Sequence, residues 1–140
     1  MPFNIGLGII FKSVVVHEHA IGDIRQVAAV SLPAAAEILV VLEQLKADPQ
    51  TTIEKLTTKG DNDLGAYRLN VKPWQSTKGI ANLWRLRILD TPATSHRIIY
   101  GYHWQTYQLC VLAVVHKEKY DYDDLTSEIN KRIITDWNSI

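Results

Sequence analysis

At 140 residues, with 46% hydrophobic and 21% charged residues, the chain has enough apolar surface for one packed domain spanning residues 1–140, and its composition excludes disorder. Fifteen basic and fifteen acidic residues cancel, which excludes the overall positive field that nucleic-acid binders normally carry. The distribution is uneven, because Lys59 to Arg97 holds seven basic residues (Lys59, Arg68, Lys72, Lys78, Arg85, Arg87, Arg97) against three acids (Asp61, Asp63, Asp90), so a local basic patch is compatible with the neutral total.

The start, Met1 to Phe11, is apolar but has no basic residue ahead of its hydrophobic stretch and no small-residue cleavage site, so no secretion signal is expected. The longest apolar region, Val27 to Leu42, is broken by Ser31, Pro33 and Glu37 and falls short of the roughly 20 apolar residues that cross a bilayer. A soluble, cytoplasmic protein is the expectation. The single cysteine, Cys110, excludes an internal disulfide framework. Inside the apolar run Leu109 to Val115 it reads as a buried, inert thiol.

In chain order, Phe11 to Val16 is a β-branched run that predicts a first strand. Ile21, Ile24, Val27, Ala28 and Val30 fall on one helical stripe, predicting a helix over Ala20 to Val30. Ser31-Leu32-Pro33 breaks it and starts a second helix over Ala34 to Ala47, which Asp48-Pro49 stops. The pair predicts a helical hairpin. Thr57 to Asn62 reads as a loop, Leu64 to Val71 as a strand, and Pro73 to Ala81 as a flexible connection. Strands follow at Leu83 to Ile88, Arg97 to Tyr102 and Leu109 to Val115, the last continuous enough for a central strand covered on both faces. Asp123 to Trp137 predicts a closing helix with Leu125, Ile129, Ile133 and Ile134 inward. Segregated helices and strands predict an α+β fold with a mostly antiparallel sheet.

Alternation places Arg85 and Arg87 on the face of their strand opposite Trp84, Leu86 and Ile88. Neighbouring guanidiniums repel unless an anion or carboxylate lies between them, and phosphate suits them as a bidentate partner. A solvated surface, or a pairing with acidic side chains, is the competing reading. His116 ends a strand; its ordinary pKa suits proton transfer, and a turn role fits equally well. Tyr100 and Trp84 read as core aromatics. His17-Glu18-His19 has the look of a metal-ligand fragment without an evident third ligand, and a coincidental polar turn is the preferred reading. Gly6-Leu7-Gly8 is too short to act as a phosphate loop, and no metal or cofactor is expected.

Three stretches, Leu83-Trp84-Arg85-Leu86-Arg87-Ile88, His96-Arg97-Ile98-Ile99-Tyr100 and Val111-Leu112-Ala113-Val114-Val115-His116-Lys117-Glu118-Lys119-Tyr120, follow in the order aromatic-basic-apolar-basic, Arg-apolar-apolar-Tyr, and apolar run to His/basic/acidic cluster and Tyr. In this the chain resembles the RelE/ParE superfamily of bacterial toxins. The resemblance spans about Phe11 to Tyr122 and is strongest after Leu83; each motif alone is weak, and three in order are fairly specific. It implies a RelE-like fold, with an N-terminal strand and helical hairpin packed on the sheet and a C-terminal helix.

The same resemblance implies the toxin of a type II toxin–antitoxin system, an endoribonuclease that cuts messenger RNA in the ribosome and so inhibits translation. Its partners would be a cognate antitoxin, the ribosome and messenger RNA. By position Arg85 and Arg87 match the family's paired basic residues, Arg97 its phosphate-binding arginine and Lys117 the basic residue after the last strand. Tyr120 or Tyr122 matches the aromatic that stacks on or orients substrate. Arg68 competes with Arg85 as the start of the basic strand and is a substrate-binding candidate. The nuclease branch carries lysine at the paired positions, and ParE-type members share the fold while inhibiting DNA gyrase. A gyrase-directed toxin is therefore the alternative, and a non-toxic repurposed binding domain the third reading.

Overall fold

The computed structural model describes residues 12–140. Phe11, Gly6-Leu7-Gly8 and the reading of the first residues as no secretion signal lie outside them. Among the described residues are four α-helices and one six-stranded sheet: β1 (Ser13–Val16), α1 (Glu18–Val30), α2 (Leu32–Ala47), α3 (Pro49–Leu56), β2 (Gly60–Leu64), β3 (Tyr67–Pro73), β4 (Leu83–Ile88), β5 (His96–His103), β6 (Gln108–His116) and α4 (Glu128–Asn138). The strand order is β1-β6-β5-β4-β3-β2, with β1 parallel to β6 and every other pairing antiparallel. This is the expected α+β class. No helix among the described residues is long and apolar enough to cross a membrane.

Two caps explain the helical half. Ser31 ends α1 by donating its backbone N–H to the Val27 carbonyl at 2.7 Å, and its hydroxyl starts α2 by accepting from the Ala34 N–H, with Pro33 in the first turn. Asp48 repeats the device. Its carboxylate accepts from the Thr51 N–H at 3.2 Å and Pro49 opens α3. The Asp48-Pro49 stop is thus also a start, and a third short helix stands where none was expected. Tyr100, fully buried as expected, donates its hydroxyl to the Leu56 carbonyl at 2.6 Å and so satisfies the end of that helix.

Four other expectations change. The strand read over Leu64 to Val71 is a hairpin: Leu64 ends β2, Gly65 turns the chain with φ of 56°, and β3 begins at Tyr67. Part of the supposed Thr57–Asn62 loop is β2. The connection after Pro73 is fixed, because Trp74 is buried and donates its indole N–H to the Tyr122 carbonyl at 2.8 Å, and Gln75–Thr77 form a 3₁₀ turn. Finally, α4 starts only at Glu128, capped by the Ser127 hydroxyl, since Asp121 and Asp124 use their carbonyls to hold the buried Asn130 amide.

The sheet is packed on both faces. Leu69, Val71, Leu86, Ile88, Ile98, Tyr100, Leu109, Val111 and Val114 join α1–α3 in one core; Leu83, Ile99, Cys110, Leu112, Ala113 and Val115 join Ile133 and Trp137 of α4 in the other. Trp137 lies over Gly101, where any Cβ would collide with its ring, and stacks on His103 at 3.6 Å between centroids. Burial pushes the Cys110 thiol up to about 12, which makes it the inert group expected.

The run from Leu109 to Val115 conceals a bulge. Ile99 pairs with Ala113 and Tyr100 with Val111, so Leu112 is an extra residue and the alternation of β6 reverses there. β1 has ended by this point, its last pair being Val16 with Val111. The free outer edge is taken over by side chains. Asp23 of α1 accepts the Val114 N–H at 3.0 Å and binds Arg132 of α4 through two bonds of 3.0 and 2.8 Å, and Arg132 donates to the Leu112 carbonyl at 3.2 Å. Both members of the pair are largely sheltered, at 12% and 25% side-chain exposure.

Asp23→Ala would strand the Arg132 guanidinium and the Val114 N–H together. It should lower the unfolding free energy by about 2–4 kcal/mol, read as a reduced urea midpoint at unchanged slope. A loss below about 0.5 kcal/mol would show that the strands hold the bulge unaided.

Candidate functional site

Register brings the predicted basic residues together. Lys72 pairs with Arg85 and Arg85 with Ile99, while Asn70 pairs with Arg87. Directly opposed residues share a face, and residues two apart on a strand do too. Arg68, Lys72, Arg85, Arg87 and Arg97 therefore lie on one face, the one that α4 covers further along the sheet. Arg87 and Arg97 follow the Leu86–Ile98 pair and are cross-strand neighbours.

Their hydrogen bonds go to neutral acceptors. Arg85 donates to the Asn70 carbonyl at 3.3 Å, Arg87 to the Thr94 hydroxyl at 3.3 Å, and Arg97 to the Thr94 and His96 carbonyls at 2.9 and 3.1 Å. Among the described residues no carboxylate lies within ion-pairing distance of any of these three, whereas Arg68 contacts Asp61 and Asp90 at 3.9 and 3.8 Å. Arg68 is exposed at the outer hairpin and already partnered. Burial lowers the pKa of Arg85 and of Arg97, and the nearby arginines lower both further. Arginine is so strong a base that they remain charged despite this shift.

Tyr122 completes this arrangement. Its ring meets Trp74 edge-on at 5.7 Å and Tyr120 at 4.6 Å, and its hydroxyl is buried without a hydrogen-bond partner. Burial raises its pKa, while the charges of Arg85 and Arg97 pull it part of the way back. A cleft of about 280 Å³ opens here between Lys72, Arg85, Trp74 and Tyr122. Asp123 stands on its lining, held by the Ser76 hydroxyl at 2.6 Å. A buried phenol O–H without an acceptor, beside guanidiniums to which no carboxylate is paired, is arranged to receive an anion.

The remaining predicted residues go elsewhere. Tyr120 is a packing residue: it lies against Trp74 and donates its hydroxyl to Asn130, and burial keeps its pKa well above the ordinary value. Lys117 is exposed in the turn after β6, its backbone N–H bonded to the Ser95 carbonyl. His116 is on the opposite face, the consequence of the bulge at Leu112. It sits across from His96, the rings edge-on at 5.2 Å, beside a separate cavity of about 560 Å³ lined also by Asp23, Gln26 and Lys119. The arginines and the histidine named as one set are thus held back to back across the sheet. Two residues escaped the sequence reading: Thr94, which gathers Arg87 and Arg97, and Trp74, which fixes Tyr122. Trp74 follows a proline at the end of an alternating strand, a pattern that signals chain reversal rather than a site.

Tyr100, Tyr120 and Tyr122 all hold their protons more tightly in the folded chain, in each case chiefly through burial. In the unfolded chain they ionise near pH 10. Their contribution is therefore complete below about pH 10 and is lost as pH rises beyond it. Urea midpoints measured from pH 8 to 11 should fall in the upper part of that range, less steeply in Tyr122→Phe; a flat profile would contradict the burial of these phenols.

Comparison with protein-family models, with curated proteins and with solved structures found no match.

Proposed function

We propose that the chain is the toxin of a type II toxin–antitoxin pair and that its arginine face holds messenger RNA phosphates at the ribosome for cleavage. One observation carries the reading: Arg85, Arg87 and Arg97 share a face beside the buried Tyr122 hydroxyl, with no carboxylate paired to them among the described residues. Three crowded guanidiniums gain most from a ligand that brings several anionic oxygens, and a phosphodiester does so. The neutral total charge does not oppose this, because fields beyond roughly 10 Å are screened at physiological salt.

In such a site a ribose 2′-hydroxyl, giving its proton to solvent water, attacks the adjacent phosphorus in line, and the P–O5′ bond breaks to leave a 2′,3′-cyclic phosphate and a 5′-hydroxyl. The guanidiniums stabilise the charge that accumulates on the phosphorane oxygens, and they need not move to do so. Tyr122, kept protonated by burial, serves as a donor to a phosphate or leaving oxygen and not as the base. His116 is on the far face, and that placement favours the second reading, a gyrase-directed toxin whose arginine face docks a target without cutting RNA. In either case the antitoxin would cover this face with an acidic segment.

Induced expression of the wild type and of Arg97→Ala, followed by growth curves and primer extension on messenger RNA, tests the proposal. The wild type should arrest growth and cut messages, and the variant should lose cleavage by about 100-fold or more, the scale of removing one charge-stabilising donor. Growth arrest with intact messages and DNA-damage signalling would transfer the assignment to gyrase. Full toxicity of Arg97→Ala, or no growth effect from the wild type, would sink both readings.

A further inference from the structure

The fold supplies what the His17-Glu18-His19 stretch lacks in sequence. His17 follows β1 and caps α1, His19 lies in the first turn of α1, and Asp136 reaches them from the last turn of α4. One ligand atom from each lies within 4.8 Å of the others. His19 Nδ1 is 2.7 Å and His17 Nδ1 3.6 Å from the same Asp136 carboxylate oxygen. We infer that His17, His19 and Asp136 bind a divalent transition metal, zinc being the best fit, at the β1 edge of the sheet beside the end of α4.

Two imidazoles and one carboxylate are the ligand types that suit zinc, at about 2.0–2.2 Å each, with a fourth tetrahedral position left for water. Ligand atoms in such a site stand roughly 3.3–3.6 Å apart by that geometry. Closing the present arrangement onto an ion therefore moves atoms by about an ångström, and His19, the most exposed of the three, has room to make that adjustment. His17 Nδ1 now accepts the His19 backbone N–H at 3.0 Å, so binding exchanges a capping hydrogen bond for a metal bond.

Among the described residues His19 is the one hydrogen-bond partner of the Asp136 carboxylate. Asp136 is buried, and Arg132 stands 3.9 Å from its oxygen while both terminal nitrogens of that guanidinium are committed to Asp23. A simple His19–Asp136 hydrogen bond accounts for one imidazole. The cap bond places His17, and it leaves the His17 Nδ1 3.6 Å from that same oxygen, near enough for one ion to take all three ligands after a small adjustment. A bound ion would tie the start of α1 to the end of α4 and so stabilise the fold in proportion to its occupancy.

Zinc titrated into the full chain against a chromophoric chelator should bind at one ion per chain and raise the melting temperature. Cobalt(II) in its place should give the visible absorption of a tetrahedral nitrogen–oxygen site. His19→Ala, a partly exposed position whose fold is checked by circular dichroism, should weaken binding by at least about tenfold; Asp136→Asn should do the same. His116→Ala removes the other histidine pair and should leave the affinity unchanged. Equal affinity in wild type and His19→Ala, loss of binding in His116→Ala, or no binding at all would overturn the assignment.

Discussion

The side on which His116 stands and the joining of α1 to α4 depend on one irregularity in β6 and on the ion pair that fastens it. The extra residue Leu112 leaves a carbonyl and, two residues on, an N–H facing outward beyond the end of β1. Asp23 and Arg132 satisfy both and at the same time join α1 to α4. A buried pair of this kind gains little from Coulomb attraction alone, since desolvation opposes it. It is retained here because each partner also completes a backbone hydrogen bond that nothing else reaches. Without the bulge, unbroken alternation would put His116 on the side of Cys110, the arginine side; with it, His116 turns toward His96.

The charges of the molecule divide accordingly. Arg132 is bound to Asp23, and Arg68 lies between two aspartates on the outer hairpin. Arg85, Arg87 and Arg97 have carbonyls and a hydroxyl in place of carboxylates. Neutral acceptors position a guanidinium without neutralising it, so these three present charge that is oriented and unspent. Thr94 is central to this because a single residue, in the 3₁₀ turn before β5, bonds both Arg87 and Arg97. The aromatic trio of Trp74, Tyr120 and Tyr122 closes the neighbouring side and keeps the Tyr122 hydroxyl dry. A neutral chain can therefore display a concentrated cationic site.

Much of this was legible in sequence wherever alternation was clean. Leu83 to Ile88 alternates without exception, and its two arginines face as read. Ser31-Leu32-Pro33 was recognisable as an end and a beginning because serine and proline have opposite positional preferences in helices. Asp48-Pro49 carries the same signal, but was read only as a stop. The bulge left no trace, since seven consecutive apolar residues fit either face and a shift of one among them changes no hydrophobic count. For the same reason His116 could not be assigned to a side. Asp136 was invisible as a companion of His17 and His19, being 117 residues beyond His19 and brought back only by packing of α4.

Where an RNA phosphate backbone lands decides whether the arginine face is the binding site. A nuclear magnetic resonance titration of the isotope-labelled chain with a short single-stranded RNA addresses this directly. Arginine side-chain N–H signals of Arg85, Arg87 and Arg97 and the ring signals of Tyr122 should shift together and saturate with one affinity, while those of Arg132 and His116 stay in place. Shifts confined to the His96–His116 cavity, or spread over the exposed lysines without saturation, would contradict the arginine face as the site.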